Sequence, residues 1–336
     1  MMRAARLYAV NDIRVDSVPL PPTPPAGWVR LKVEAAGICG SDLTNFRSGL
    51  WITRSPSTAG HEFAAVVTEL GEGVTGFALG DRVVTDSRVT CGECSACLTG
   101  RPQLCARLGY VGEVCDGGFA EETILPARLL HKIDRGVPRE IAAMAEPLAV
   151  ALHTIRRLRV GADDPILIAG CGTIGGLVAL ILSKSHRAPI LVADNNADRA
   201  GLVASVAGAR IVALTPDAVT AALGNRPLLH AVEATGSVGA LEALTGSVAG
   251  GAAIALVGIF HATMQLNPNL FVDRELSFIG CQAFSDELPD AVALLPGLAA
   301  DLDRLIDCRI SLEDVPENYD RLIAGRAQGL KTIILL

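Results

Sequence analysis

The pattern of apolar and polar positions changes character near residue 146. Before that point apolar residues come in short runs cut by turn formers. Over 7–33 the strand-like runs are broken by Pro19, Pro21, Pro22, Pro24 and Pro25, which predicts β structure and not helix. Over 63–84, apolar runs such as Ala64-Ala65-Val66-Val67 alternate with Gly71, Gly73, Gly76 and Gly80, the turn spacing of a compact barrel or sandwich. Beyond 146 the pattern turns to strand-helix alternation: an amphipathic helix, a buried strand over 165–169, a glycine-rich turn and a long apolar helix to 184. Strands over 189–193, 211–213, 229–233 and 252–258 and a helix over 198–207 continue it, predicting a parallel sheet with helices on both faces. The last fifty residues add a helix over 288–300 and a terminal strand over 331–336, whose sheet the pattern leaves open.

Two stretches without charge, 166–183 and 243–260, approach the length of a membrane span. Gly170, Gly172, Gly175 and Gly176 in the first, and Gly250 and Gly251 in the second, favour a strand joined by a turn to a helix. A length of 336 residues, half of them apolar, suffices for two domains with a core each. The balance of 29 Lys+Arg against 36 Asp+Glu gives a net charge of -7, the wrong sign for attraction to nucleic acid or an anionic membrane. Chemistry on a small molecule is the expectation. The first ten residues have no apolar core of secretory length, so a cytoplasmic location is expected.

The nine cysteines are an odd number, and Cys91, Cys94, Cys97 and Cys105 crowd into a single C-x2-C-x2-C-x7-C segment. Four thiolates on one short loop can enclose a tetrahedral zinc and leave no position open, which predicts a structural site. Free surface thiols and an iron-sulfur cluster are the competing readings. The ferredoxin run, however, has a three-residue last gap and a following proline, both absent here.

Further metal-ligand types occur in Gly37-Ile38-Cys39-Gly40-Ser41-Asp42, Gly60-His61-Glu62 and Ala145-Glu146-Pro147. Each alone reads as a core cysteine, a satisfied histidine or a helix start. Gly170-Cys171-Gly172-Thr173-Ile174-Gly175 is a G-x-G-x-x-G between a predicted strand and helix, with Asp194 nineteen residues past its last glycine. Gly170 makes the turn, Gly172 admits the pyrophosphate, and Gly175 lets helix and strand pack closely. Asp194 suits the ribose hydroxyls of NAD, although Arg199 nearby offers an alternative partner for the extra phosphate of NADP.

Taken in this order, with Gly80-Asp81-Arg82-Val83 and Glu146-Pro147-Leu148, the motifs resemble the zinc-dependent medium-chain dehydrogenase/reductase family over nearly the whole chain. The Glu-Pro is similar to that of its polyol (sorbitol-like) and threonine dehydrogenase branch. The resemblance implies an α/β protein: a β-rich GroES-like catalytic domain over 1–147 and 284–336, and a Rossmann domain with a doubly wound parallel sheet over 148–283. It implies two Zn2+ per chain and NAD. Cys39 and His61 would be catalytic zinc ligands completed by Glu62 or Glu146 and a water, and Ser41 would take the alcohol's proton toward the cofactor ribose. Thr44 stands where many members have a histidine, so a longer relay would run differently. Ala65 also departs from a frequent glycine. The segments Glu233-Ala234-Thr235-Gly236 and Val257-Gly258-Ile259 resemble the later strand ends lining the cofactor cleft. His153, about two helical turns after Glu146, either shares its face or has a backbone partner.

The implied reaction is oxidation of a secondary alcohol, a polyol or sugar alcohol, to the ketone. The alternatives are an L-threonine-like hydroxy acid, a zinc-free reductase of the same superfamily, or a non-catalytic zinc-stabilised binding protein. Family habit points to a homodimer or homotetramer.

Overall fold

The computed structural model describes residues 1–336 and divides them into two compact units. One comprises residues Met1–Glu146, Leu288–Ala327 and Lys331–Leu336; the other comprises Pro147–Glu287 and Gln328–Leu330. No helix is long and apolar enough to cross a membrane.

The first unit is built around the strand Trp28–Gly37, in which Val29, Leu31 and Val33 point into the core while Arg30, Lys32 and Glu34 point outward. This period of two is what a half-buried strand requires, and each fully buried aliphatic side chain contributes about 1.5–3 kcal/mol. The strand pairs antiparallel with Glu62–Leu70, Glu122–Pro126 and Lys331–Leu335. Arg82–Thr85 and Leu130–Lys132 extend the sheet on one side and Ile306–Ile310 on the other, seven strands in all. A second sheet joins Asp12–Val18, Met2–Ala9 and Ser57–Thr58. The terminal strand therefore returns to the β-rich unit, and its register sets Ile333 opposite Gly37, which faces Glu62 on the other side.

The second unit holds a six-stranded parallel sheet. In spatial order its strands are Arg210–Ile211, Ile190–Ala193, Ile166–Ala169, His230–Glu233, Ala253–Leu256 and Ser277–Gly280. The first strand in the chain lies third, so the winding reverses beside it, the crevice where doubly wound sheets bind nucleotides. Ile166–Ala169 and Ile190–Ala193 are buried at every position, which explains their unbroken apolar runs.

The helices Pro216–Leu223 and Val238–Ser247 and the strand Ser277–Gly280 carry no clear periodic signal and appear only in the fold, whereas the C-terminal helix Val315–Ile323 is strongly amphipathic and was passed over in the sequence reading. The strand expected over 211–213 is shorter and shifted, at Arg210–Ile211. The uncharged stretch 243–260 is the end of one helix, a turn at Gly250 and Gly251, and the strand Ala253–Leu256.

Candidate functional site

The strand Trp28–Gly37 delivers Cys39 to the start of the helix Gly40–Ser48, where Cys39 is the N-cap. Asp42 secures this turn: its Oδ2 accepts the Cys39 N–H at 2.8 Å. Its Oδ1 lies 3.6 Å from His61 Nδ1, so the carboxylate faces that edge of the ring and leaves Nε2 for a metal. His61 follows Gly60, which has φ +95° and where a Cβ would come within 2.3 Å of the Phe119 ring. Only glycine fits there, and the turn it makes carries His61 into the interior.

Glu62 begins the next strand and is fully buried. Both its oxygens accept hydrogen bonds from Lys331 Nζ, at 2.9 and 2.6 Å, and the same ammonium donates to the Ile38 carbonyl at 3.1 Å. A Cβ on Gly37 would lie 2.5 Å from Glu62 Oε2, which gives the first glycine of the Gly-Ile-Cys-Gly segment its physical reason. The ligand atoms of Cys39, His61 and Glu62 lie within 4.8 Å of one another. Glu146, at the start of the helix Ala145–Leu158, accepts a 2.7 Å hydrogen bond from the buried Ser87 hydroxyl.

Burial pushes the Glu146 carboxyl up to about 7, with Glu62 adding to the rise and His61 opposing it. Burial disfavours a charged His61, yet Asp42 and the Cys39 sulfur outweigh it and hold the ring well above the usual imidazole range. Soft sulfur, imidazole and carboxylate meeting in one pocket are the donor set of a catalytic zinc.

The four-cysteine loop closes on itself. Sγ–Sγ separations are 3.4 Å for Cys91 and Cys105, 3.6 Å for Cys94 and Cys97, and 4.0 Å for Cys91 and Cys97. A tetrahedral zinc with Zn–S bonds of about 2.3 Å needs sulfur edges of about 3.8 Å, so the four thiols fit one ion. Backbone N–H groups of Cys91 and Arg107 point at Cys105 Sγ, both at 3.3 Å, and that of Cys94 points at Cys91 Sγ at 3.4 Å. Backbone N–H groups from Glu93 and Cys94 draw the Cys91 thiol down to about 6, while burial and Cys94 push Cys97 up to about 11. The loop thus already favours thiolate at one corner.

In the second unit, a cavity of about 570 Å³ is lined by Gly170, Gly172, Asp194, Arg199, Thr235 and neighbouring residues. Gly170 has φ +99°, and a Cβ on Gly175 would lie 1.8 Å from the Gly170 carbonyl oxygen, so no larger residue fits that helix-strand contact. A Cβ on Gly172 would meet no protein atom; the space beside it is open to a ligand. Thr173 opens the helix Thr173–Ser183, followed by Ile174, and its hydroxyl donates to the Leu330 carbonyl at 2.6 Å. The free N–H groups of that helix start are suited to a pyrophosphate. Asp194 ends its strand with its oxygens accepting the Cys171 and Asn196 N–H groups at 2.6 and 2.7 Å, which orients the carboxylate. Arg199 lines the same cavity with its buried Nε unpartnered. Half-buried Val257 follows its strand with its N–H on the Glu233 carbonyl, and does not line the cavity.

Comparison with known proteins agrees with this chemistry. The alcohol dehydrogenase GroES-like domain model matches residues 25–135. A 2-dehydro-3-deoxy-L-galactonate 5-dehydrogenase of Pseudoalteromonas atlantica is 31% identical over 93% of this chain and 92% of its own. The chain belongs to the zinc-containing medium-chain dehydrogenases. Another member, a sorbitol dehydrogenase of Bacillus subtilis, is 28% identical over 99% of this chain and 97% of its own. Among solved structures, a protein assigned as a zinc-binding dehydrogenase of Sinorhizobium meliloti, bound to NADP, has a TM-score of 0.92 at 29% identity, covering 100% of this chain and 99% of its own. An Escherichia coli alcohol dehydrogenase (rspB) complexed with NADH has a TM-score of 0.91 at 26% identity, with the same coverage.

As a zinc-containing medium-chain dehydrogenase, the protein is an NAD(P)-dependent enzyme acting on CH–OH groups, with a four-cysteine structural zinc site and a Cys/His/Glu catalytic site. His153 stands two turns beyond Glu146 on the same helix, and where a backbone partner was one expectation, its Nδ1 instead meets the buried Glu287 carboxylate at 3.0 Å. Lys331, Ser87 and Asp42 also escaped sequence reading as parts of the site. Asp42 stood in plain view inside the Gly-Ser-Asp segment, whereas Lys331 read only as the first residue of a terminal strand.

Proposed function

We propose that the enzyme oxidises a secondary alcohol, a polyol or sugar alcohol, to the ketone, passing hydride to NAD. The observation that carries this reading is the meeting of Cys39, His61 and Glu62 ligand atoms within 4.8 Å. Polyhydroxylated substrates in the names of relatives support the substrate class.

Cys39, His61 and Glu62 would hold the catalytic zinc. Zinc bound there supplies Lewis acidity, lowering the pKa of a hydroxyl that takes its open position. Asp42 faces the Nδ1 edge of His61, and Lys331 pairs with Glu62 and keeps it aimed. Glu146, tied to Ser87, is the second carboxylate facing the same donors. Ser41 Oγ, two residues beyond Cys39, accepts the substrate proton and passes it on. NAD bound in the cavity of the second unit would supply the hydride acceptor. Gly170, Gly172, Thr173, Ile174 and Gly175 would seat the pyrophosphate, and Asp194 would accept hydrogen bonds from the ribose hydroxyls. One observation favours NADP as a second reading: Arg199 Nε is buried without a partner in this cavity and would pair with a 2′-phosphate.

The test is NADH formation by zinc-loaded enzyme on a panel of polyols, sugar acids and L-threonine, repeated with NADP. Turnover of a polyol or sugar acid, lost on chelation and restored by zinc, is expected. Turnover of L-threonine alone would overturn the substrate class, and a higher kcat/KM with NADP would overturn the NAD reading.

A further inference from the structure

Behind the catalytic cluster lies a cavity of about 10 Å³, lined by Ser41, Asp42, Asn45, Glu113 and Tyr319 with apolar side chains closing it. That is the space one water requires, and a buried water also needs two to four polar partners, which these five residues supply. Tyr319 comes from the C-terminal helix Val315–Ile323 and is 1% exposed. Its ring is clamped edge-on against Phe46, centroids 5.3 Å apart at 88°, so the hydroxyl cannot swing away. Yet that hydroxyl is buried and has no hydrogen-bond partner. Buried hydroxyls are rarely left unpaired, because the lost hydration is not recovered. Asp42 and Cys39 are near enough, together with burial, to hold the phenol well above its usual range.

Asp42 has bonding capacity to spare. Oδ2 takes the Cys39 N–H, and Oδ1 stands 3.6 Å from His61 Nδ1, beyond an ordinary hydrogen bond. Asn45 is anchored through its Oδ1, which accepts the Trp51 N–H at 2.8 Å, leaving its amide as a donor. Glu113 faces the cavity and forms no ion pair.

We propose that this cavity binds one ordered water, which accepts from Tyr319 Oη and donates to Asp42, making Tyr319 a positioning residue for His61. The chain of contact runs from the Tyr319 hydroxyl, through the water, to the carboxylate that faces the metal-binding imidazole. It rests on the reading of Cys39 and His61 as zinc ligands. Outer partners of metal-binding histidines commonly change affinity by 10–100-fold, and Tyr319 acts one step further out, so the lower end applies.

The experiment pairs Tyr319→Phe, which keeps the ring packing and removes only the hydroxyl, with a high-resolution crystal structure of the zinc-loaded wild type. Expected are water density between Tyr319 Oη and Asp42, and about tenfold faster loss of one of the two zincs to a chelator in Y319F, the other zinc leaving at the wild-type rate. Absence of the water from the wild-type map overturns the proposal even if Y319F fails to fold. Wild-type zinc loss in a folded Y319F overturns it too. The ligand reading is tested separately by Cys39→Ser: if C39S still binds two zincs per chain, that reading fails, whatever Y319F does.

Discussion

Replacing Lys331 with methionine isolates the buried ion pair that Lys331 makes with Glu62. The ammonium and the Glu62 carboxylate are both about 1% exposed, and Nζ reaches both carboxylate oxygens and the Ile38 carbonyl. Methionine matches the aliphatic stem closely, so the change removes charge with little loss of packing. It leaves the buried Glu62 carboxyl with no counter-charge, and breaking such a pair costs about 3–5 kcal/mol. The orphaned Ile38 carbonyl adds about 1 kcal/mol. At about 2–4 °C per kcal/mol for a unit of this size, the melting temperature should fall by roughly 10 °C or more. The melt is recorded with zinc chelated, so that the metal cannot stand in for the missing cation, and again with zinc loaded, where a smaller loss is expected. The double variant E62Q/K331M removes the stranded charge and should recover a large part of the loss in the chelated state. A K331M melting temperature within 2 °C of wild type would refute the reasoning, as would a double variant as destabilised as the sum of its single changes.

Gly175→Ala should abolish NAD binding, read by cofactor fluorescence titration, because its Cβ would collide with the Gly170 carbonyl oxygen at 1.8 Å; binding within threefold of wild type would contradict the packing argument. Cys105→Ser should release one zinc per chain on metal analysis and lower the melting temperature, since the sulfur edges of 3.4–4.0 Å need all four corners. Glu287 is held at about 2 against a reference value of 4.5: burial opposes ionisation, but His153 and the Ser285 N–H, at 2.6 Å, outweigh it. Its folded pKa lies below the unfolded one, so the carboxylate's stabilisation is complete above about 4.5 and is lost as pH falls toward 2. The full effect is about 3 kcal/mol, and Glu287→Gln should flatten the stability curve between those pH values in urea melts. Parallel curves for the two proteins would show that the His153–Glu287 pair contributes nothing.

What the sequence by itself determined was whatever is encoded within a few neighbouring residues. The outward Arg30, Lys32 and Glu34 alternate with the buried Val29, Leu31 and Val33, so the central strand could be read directly. The four cysteines span fifteen residues and needed no tertiary knowledge to suggest one ion. The glycine motif worked for the same reason: its strand, turn and helix are contiguous, and the steric demands on Gly170 and Gly175 arise within the motif itself and at the next strand. The short helices Pro216–Leu223 and Val238–Ser247 were missed because propensity over eight to ten residues is weak, and packing on the sheet decides them.

Only the tertiary structure decided which distant groups complete the catalytic site. Lys331 reaches Glu62 across 269 positions because the terminal strand pairs with Trp28–Gly37 in a register that sets Ile333 against Gly37. Ser87 meets Glu146 across 59 positions, and Tyr319 looks onto Asp42 from another helix. A buried lysine, serine or tyrosine carries no periodic mark in the chain. Its cost and its value appear only once folding has removed water from around it, and so its role is written in the register of the strands and not in the order of the residues.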